Sequence, residues 1–349
     1  MQLNASRAYL DAKTSLQQAA GDVDPIVRAN AVEAMAQVMG KDAGPTIMQG
    51  LSSENVPVVF ASAMAAGDVQ YESAKPKLLE LARLEGPDKR VLAAVIYALN
   101  RLGVTSYNDF LPRLLFHREP QVRSVAAMAM GKIGKTSYIQ RLERLEELPQ
   151  PPLVELQVVE AKARLGDPQA LYTLESFTKG IYLDDRLMAI RTLAQVNAPR
   201  AAKVCRDLLE DDRNQPRVRV VAAEGLGRLG VESPEGFRYA KACASDPQGV
   251  LRRVRGPQRQ VEAVEVTSLA QLSAVALGWL GYDAAVDTLH PMLRNQNGTV
   301  RVAAAMSIMR LLPEQAGGNE PEPVSPSGAS PAGSSPETLP KLRTSGFDD

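Results

Sequence analysis

Apolar and small residues recur along the chain with a helical period, in a pattern that repeats nine times. The copies VRSVAAMAMGKIG (residues 122–134) and VRVVAAEGLGRLG (residues 218–230) show it most clearly. Counted from the first residue of a copy as position 0, apolar or small residues fall at positions 0, 4, 7, 8 and 11, which share one face of an α-helix. The pattern therefore predicts nine amphipathic helices. The copies start at Val27, Val59, Val91, Val122, Val154, Asp185, Val218, Leu269 and Val300.

The residues that flank the copies predict where each helix begins and ends. Proline stands two residues before the start of five copies, at or near the first helical turn. Asp24, Asp88, Glu119 and Asn297 each stand one residue earlier, where a side chain can cap free backbone N–H groups. Five copies end on glycine, which suits a left-handed turn. Shorter helical stretches lie between the copies, so the repeating unit is a helix–turn–helix with an A helix followed by a B helix that carries the pattern.

The spacing of the copies indicates a stacked array. Seven of the eight steps between copy starts are 31 to 33 residues long, and one is 51. A unit of this size cannot bury its apolar face alone, whereas stacked neighbours bury it together. Gln70 and Lys162 occupy otherwise apolar positions, so copies two and five should be less regular. Position 7 is always small, so a neighbouring helix should approach closely at Ala34, Ala66, Ala98, Ala129, Ala161, Thr192, Gly225, Ala276 and Ser307.

The pattern V-R-x-x-A-x-x-A-L-G-x-L-G resembles the short HEAT-like repeat, the type also found in phycobilisome-lyase-like proteins. The resemblance covers residues 1–312. It implies an all-α fold, a right-handed α-solenoid of about nine helix–turn–helix repeats whose B helices line the concave side. The chain lacks the Trp and Tyr signature of tetratricopeptide repeats and the T-P-L-H signature of ankyrin repeats.

Two segments depart from the repeat. An insertion at about residues 246–266 fills the long step between copies, and insertions in solenoids map to one face, often a binding face. The alternative is a surface loop whose arginines are only solvated. Residues 313–349 are rich in Pro, Ser and Gly, which predicts a disordered tail. The insertion carries Arg252, Arg253, Arg255 and Arg259.

The amino-acid composition indicates which cellular compartment and which class of binding partner to expect. Lys plus Arg and Asp plus Glu both number 40, and the resulting zero net charge argues against a dedicated polyanion binder. The two cysteines, Cys205 and Cys243, have no ligand spacing, which favours a reducing compartment. The N-terminal residues lack the apolar core of a signal peptide, and no run of 18 apolar residues occurs. We expect a cytoplasmic protein without a membrane span; the alternative is an exported protein with a signal upstream of Met1.

Catalytic and cofactor motifs are weak in this sequence. GLGRLG at residues 225–230 has the spacing of a dinucleotide-binding turn, but the repeat places its glycines at the end of a helix rather than between a strand and a helix. The two histidines, His117 and His290, lie in different repeats and form none of the His-Glu pairs that some HEAT-like enzymes use for a di-iron site. We therefore expect no cofactor, no metal and no catalytic activity.

Arginines that follow the start of a copy suggest a structural ladder along the stack. Asp24 with Arg28, and Glu119 with Arg123, have the i, i+4 spacing of a helical ion pair. We expect these arginines to bind turn acids rather than a ligand.

Position 10 of the pattern is the stronger candidate for a binding surface, because it lies off the apolar stripe and faces outward. Glu160 and Glu224 precede Arg164 and Arg228 by four residues and should pair with them. The cations also suit the helix dipole, which is the structural alternative. The residues at position 10 are Gln37, Val69, Arg101, Lys132, Arg164, Gln195, Arg228, Trp279 and Arg310.

The sequence predicts a non-catalytic scaffold or adaptor, a monomeric solenoid that binds a protein or peptide on its concave B-helix face. Unpaired cations beside apolar or aromatic residues are typical of interfaces. One alternative is nucleic-acid binding through the same basic residues and the insertion, which zero net charge makes unfavourable. Another is a lyase-like enzyme of the HEAT-like family. The predicted contact residues are Tyr97, Arg101, Met128, Lys132, Trp279 and Arg310, with Arg252, Arg253, Arg255 and Arg259 of the insertion.

Overall fold

A computed structural model describes residues 5–84, 86–256 and 260–312. Within these ranges the fold is helical throughout, and each of the nine sequence copies forms a B helix as predicted. The B helices are α2 (Pro25–Met39), α4 (Val56–Asp68), α6 (Lys89–Arg101), α8 (Pro120–Ile133), α10 (Pro152–Arg164), α12 (Leu183–Gln195), α14 (Pro216–Arg228), α17 (Ala263–Leu280) and α19 (Gly298–Leu311).

An A helix precedes each B helix and, except for α1, is shorter than it, and one extra helix lies in the insertion. The A helices are α1 (Ala5–Ala20), α3 (Gly44–Leu51), α5 (Lys75–Ala82), α7 (Leu111–Leu115), α9 (Ile139–Glu146), α11 (Pro168–Phe177), α13 (Ala201–Glu210), α15 (Pro234–Ser245) and α18 (Val286–Met292). The extra helix, α16 (Pro247–Arg255), packs against α15 and α17. The predicted disordered tail and Arg259 lie outside the described residues.

The helix ends largely follow the prediction. The side chains of Asp24, Asp88 and Asn297 accept hydrogen bonds from backbone N–H groups in the first turns of α2, α6 and α19. Glu119 makes no such bond, so this one of the four predicted caps is wrong. The glycines that end five copies all have positive φ, from 67° to 87°, a conformation that glycine adopts without steric penalty.

Close contact between neighbouring B helices depends on the small residues at position 7. A Cβ added to Gly131 of α8 would lie 2.8 Å from the Cα of Ala161 in α10. A Cβ on Gly278 of α17 would likewise lie 2.8 Å from the Cα of Ser307 in α19. Ala161 and Ser307 both occupy position 7. In both pairs a glycine of the preceding copy packs closely against the small residue at that position, as the sequence predicts.

Neighbouring B helices pack side by side around the whole array, with one looser junction. Helices α10 and α12 touch only slightly, and α11 packs against both of them. Lys162 of α10 occupies an apolar position of copy five, where it is buried against Glu146 (2.8 Å) and Asp167 (3.2 Å). Gln70 of copy two occupies position 11, where the other copies have an apolar residue, and its backbone takes a positive φ of 50°. The backbone of Gln70 confirms the irregularity predicted for copy two, whereas α10 of copy five is a regular helix that accommodates Lys162 through these two acids.

The array closes on itself, which the repeat pattern does not predict. Helix α19 packs against both α1 and α2, so the last repeat meets the first. At this seam a Cβ added to Gly298 would lie 2.6 Å from Cγ2 of Val27. Arg301 Nη2 lies 3.1 Å from Asp22 Oδ2, and His290 Nε2 lies 3.0 Å from Asp11 Oδ2. The nine B helices therefore form the inner layer of a ring, and one apolar cluster continues across the seam.

Contact at the seam gives a direct test of closure. In an Arg301→Lys variant, a zero-length carbodiimide is expected to link residues 22 and 301 within one chain, because the two side chains touch. The native contact between Lys132 and Asp68, at 2.8 Å, is the positive control. Peptide mass spectrometry reads both products. A ring that is open in solution would give the Lys132–Asp68 link without an intramolecular link between residues 22 and 301.

The predicted ladder of arginines forms, but with different partners. Arg28 donates to the backbone carbonyl oxygens of Asp22 (2.6 Å) and Val23 (3.1 Å). Arg123 does the same with His117 and Arg118, both at 2.9 Å. The predicted ion pairs with Asp24 and Glu119 are wrong. Asp24 is already occupied as a cap, and carbonyl groups between the A and B helices need donors.

Helix α17 is, among the described residues, the one helix long and apolar enough to cross a membrane, with a mean hydropathy of 1.4 over 18 residues. It packs between α14 and α19 as a B helix of the ring. Length and composition are weak evidence for a membrane span when the helix lies in a protein core.

Candidate functional site

The residues at position 10 lie in or next to the last turn of the B helices, so they surround one end of the ring's interior. We call this set the collar: Gln37, Val69, Arg101, Lys132, Arg164, Gln195, Arg228, Trp279 and Arg310. Collar residues of different repeats contact one another. Arg164 donates to Gln195, and Arg310 Nη2 donates to Gln37 Oε1 at 3.2 Å across the seam.

Trp279 is held between two arginines of the collar. The Cζ atoms of Arg228 and Arg310 lie 4.1 and 3.9 Å from its ring centroid. Each such cation–π contact stabilises by about 0.5–2 kcal/mol, depending on how far it is removed from water. The stack joins α14, α17 and α19, so the indole sits in a fixed, strongly positive environment.

A buried carboxylate lies behind this stack. Glu224 of α14 is 0% exposed and accepts hydrogen bonds from Arg191 of α12 and Arg228 of its own helix, each at 2.8 Å. Burial is the largest single influence and raises the pKa of Glu224, but the two guanidinium groups together offset it and hold the pKa below its ordinary value. The pair of Glu224 with Arg228 confirms the i, i+4 prediction, whereas Arg191 was not predicted.

A second buried carboxylate, that of Glu160, lies at the looser junction between α10 and α12. Glu160 lies 2.8 Å from Arg164, as predicted, and also accepts a hydrogen bond from Gln157. Because Arg164 also donates to Gln195, it connects the two helices across this looser junction.

Lys132 is paired, contrary to the prediction that it is an unpaired cation. Its Nζ lies 2.8 Å from Asp68 Oδ1, on a helix two repeats away, and 4.9 Å from the ring centroid of Tyr97. Tyr97 is 2% exposed and donates its hydroxyl hydrogen to Asp68. Burial and the carboxylate of Asp68 raise the pKa of Tyr97 above its ordinary value. The structure therefore places Tyr97 in the core, beneath the collar.

Two collar arginines have no carboxylate partner among the described residues. Arg101 is exposed, and its Nε makes one long contact, 3.4 Å to the carbonyl oxygen of Gly67. In Arg310 the buried Nη1 has no hydrogen-bond partner, and neither does the buried Nε1 of Trp279. Burial, followed by repulsion from Arg228, lowers the pKa of Arg310 to about 10. Among the described residues, the collar thus holds positive charge that no carboxylate pairs with.

A cavity with a mixed lining opens beside Lys132. It has a volume of about 380 Å³, and it is lined by the apolar side chains of Phe60, Met64 and Met128 and by the charged groups of Glu33, Asp68 and Lys132. Partial removal from water raises the pKa of Glu33, and the positive charge of Lys132 partly offsets this increase. Met128, one of the predicted contact residues, is therefore available to an apolar group that enters the ring.

The arginines of the insertion lie away from the collar. Arg252, Arg253 and Arg255 are exposed on α16, and Arg255 pairs with Glu265 in the first turn of α17. Trp279 is fourteen residues further along α17, which is about 21 Å at 1.5 Å per residue. These arginines do not join the same surface as the collar.

Other reactive groups have structural partners. His290 pairs with Asp11 at the seam, and burial raises the pKa of the Cys205 and Cys243 thiols to about 12, which disfavours the thiolate. Within the described ranges no group of three or more His, Cys, Asp or Glu side chains is placed to hold a metal ion.

Comparison with known proteins identifies the repeat. A model of the HEAT repeats matches residues 13–100, 81–154 and 183–255, which is more than half of the chain. No curated protein matches the chain.

Two solved structures are similar to this chain. The complex of CpcE and CpcF of phycocyanin lyase from Nostoc sp. PCC7120 matches with 19% identity and a TM-score of 0.43, over 73% of this chain and 96% of the other. Human deoxyhypusine hydroxylase in complex with glycerol matches with 18% identity and a TM-score of 0.34, over 77% of this chain and 98% of the other. With a family match over most of its repeats, the chain belongs to the HEAT-repeat family.

Proposed function

We propose that this protein is a non-catalytic scaffold that binds an acidic segment of a partner protein or peptide at the collar. The proposal rests on positive charge of the collar that no carboxylate among the described residues pairs with. Arg101 and Arg310 have no carboxylate partner in the described part of the chain, while the other basic collar residues pair with Asp68, Glu160 or Glu224. Buried donors without partners cost free energy, which a carboxylate would recover.

The surroundings of these arginines favour a peptide. Arg, Trp and Met are enriched where proteins bind one another, and the collar combines Trp279 and Arg310 with the cavity beside Met128. An acidic segment with one apolar side chain would match both features. Nucleic acid fits less well, because a phosphate backbone needs many free cations and most cations of the collar are paired.

The test is loss of partner capture after charge reversal. We expect Arg101→Glu combined with Arg310→Glu to reduce recovery of specific partners in affinity capture with mass spectrometry by about tenfold, equivalent to about 1.4 kcal/mol of binding free energy. Arg101→Glu alone serves as a second variant, since Arg101 is exposed and its replacement leaves the core intact.

The matched control reverses two exposed arginines on the outer helices, Arg144 and Arg206. It makes the same charge change without touching the collar. If both double variants recover the same partners in the same amounts, the collar is not the binding site. If the captured material is released by nuclease, the nucleic-acid alternative holds instead.

A further inference from the structure

The chain carries an acidic segment of its own directly after the ring. Residues 313–349 contain six acidic and two basic residues, so the rest of the chain has an equal excess of four positive charges. The first basic residue of this segment is Lys341, and every charged residue before it is acidic. The acids nearest to the ring are Glu314, Glu320 and Glu322.

The chain leaves the ring at the collar. Arg310 lies in the last turn of α19, which ends at Leu311. A cavity of about 470 Å³ adjoins this point, between α1, α2 and α19. Arg310, Gln37 and Lys13 supply its donors, and Asp42 is the acid at its edge. Its apolar lining comes from Tyr9, Val38, Met39 and Met309.

We propose that residues 313–323, PEQAGGNEPEP, bind the collar of their own chain and occupy the site of an acidic partner. Its acids Glu314, Glu320 and Glu322 are opposite in charge to the guanidinium groups of Arg310 and Arg101, which have no carboxylate partner among the described residues. This inference rests on the proposed function, because it names the kind of segment that the collar accepts and how access to the collar is controlled.

Reach and tethering both favour this contact. Eleven extended residues span about 36 Å, at roughly 3.3 Å each, which exceeds the roughly 10 Å between the axes of neighbouring packed helices. Pro321 and Pro323 favour an extended conformation and reduce the entropy lost on binding. A tethered segment experiences an effective concentration of about millimolar, so even weak affinity for the collar is sufficient.

Trp279 provides the readout, since it is the chain's single tryptophan and lies in the collar. Iodide, an anion, quenches tryptophan fluorescence and is attracted to Arg228 and Arg310. A bound acidic segment should exclude it. In the full-length protein, Glu314→Gln, Glu320→Gln and Glu322→Gln together are expected to raise the iodide quenching constant roughly twofold, because a neutral segment loses its charge-assisted bonds.

The matched control is Glu143→Gln, Glu147→Gln and Glu210→Gln, three exposed acids of the outer helices. It makes the same change in net charge and should quench like the unaltered protein. A second measurement uses a labelled synthetic peptide of sequence PEQAGGNEPEP. It should bind the tail variant several-fold more tightly than the unaltered protein, and 0.5 M NaCl should remove the difference through screening.

Equal quenching and equal peptide affinity in the unaltered protein and the tail variant would overturn the inference. If partner capture still depends on Arg101 and Arg310 in that case, the proposed function stands without it. If the tail variant changes quenching while charge reversal leaves partner capture unaltered, the intramolecular contact is right and the proposed function is wrong.

Discussion

Replacement of Glu224 by leucine is expected to lower the free energy of unfolding by about 3 kcal/mol, because it removes the shared partner of two arginines. Glu224 is fully buried, and Arg191 and Arg228 converge on it from two helices. Leucine fills a similar volume but leaves both guanidinium groups without a carboxylate. Both arginines are partly exposed, so water compensates some of the loss. Urea unfolding followed by circular dichroism measures the change.

The matched control is Glu155→Leu, at an exposed site on α10, for which a change within about 0.5 kcal/mol is expected. Glu224→Gln should fall between the two, since its amide oxygen still accepts one hydrogen bond. Equal stability of the Glu224→Leu and Glu155→Leu variants would mean that the buried pair contributes nothing to the ring.

The pH dependence of this effect has a definite sign. Burial raises the pKa of Glu224, but Arg191 and Arg228 outweigh burial and hold the folded pKa below the unfolded value of about 4.3. The carboxylate therefore stabilises fully above about pH 4.3, and its contribution disappears as the pH falls through the folded pKa. The stability difference between the unaltered protein and Glu224→Gln should be constant near neutral pH and shrink in acid. A difference that grows in acid would show that the folded pKa is raised.

The B helices could be predicted from sequence because their signals are local. Helical period, capping residues and terminal glycines act within a dozen residues, and small residues at position 7 act between adjacent copies. Asp24, through its side chain, and Gly134, through its left-handed backbone, show how single residues set the ends of helices. These features depend on chemistry that each repeat contains in itself.

Ring closure could not be predicted, because it depends on small rotations added over all repeats. At the seam, Gly298 of α19 packs against Val27 of α2, and a glycine and a valine carry no sequence signal for closure. The pairing of Lys132 with Asp68 was missed for a related reason, since the partner lies two repeats away. The buried acids had a detectable signal. Glu160 and Glu224 share position 6 of the pattern, one turn before the collar.

The GLGRLG segment supplies the second strong prediction. Gly227 lies inside α14, where an added Cβ would be 2.5 Å from both the carbonyl carbon and the oxygen of Trp279. These atoms belong to the backbone of α17, so the two helices must separate to admit a methyl group. Gly227→Ala is therefore expected to lower the free energy of unfolding by about 2 kcal/mol. It should also shift the fluorescence of Trp279, whose position between Arg228 and Arg310 depends on that contact.

Gly225→Ala in the same helix is the matched control. There the nearest atom to an added Cβ is the Cys205 sulfur at 2.7 Å, a side-chain atom on α13. The helix-propensity gain of about 1 kcal/mol applies equally to both sites, so the difference between the variants isolates the backbone contact. If Gly227→Ala is as stable as Gly225→Ala and leaves the fluorescence unchanged, α14 and α17 do not approach this closely. If it is clearly less stable, the glycine spacing that resembles a nucleotide-binding turn serves the packing of one B helix against the next.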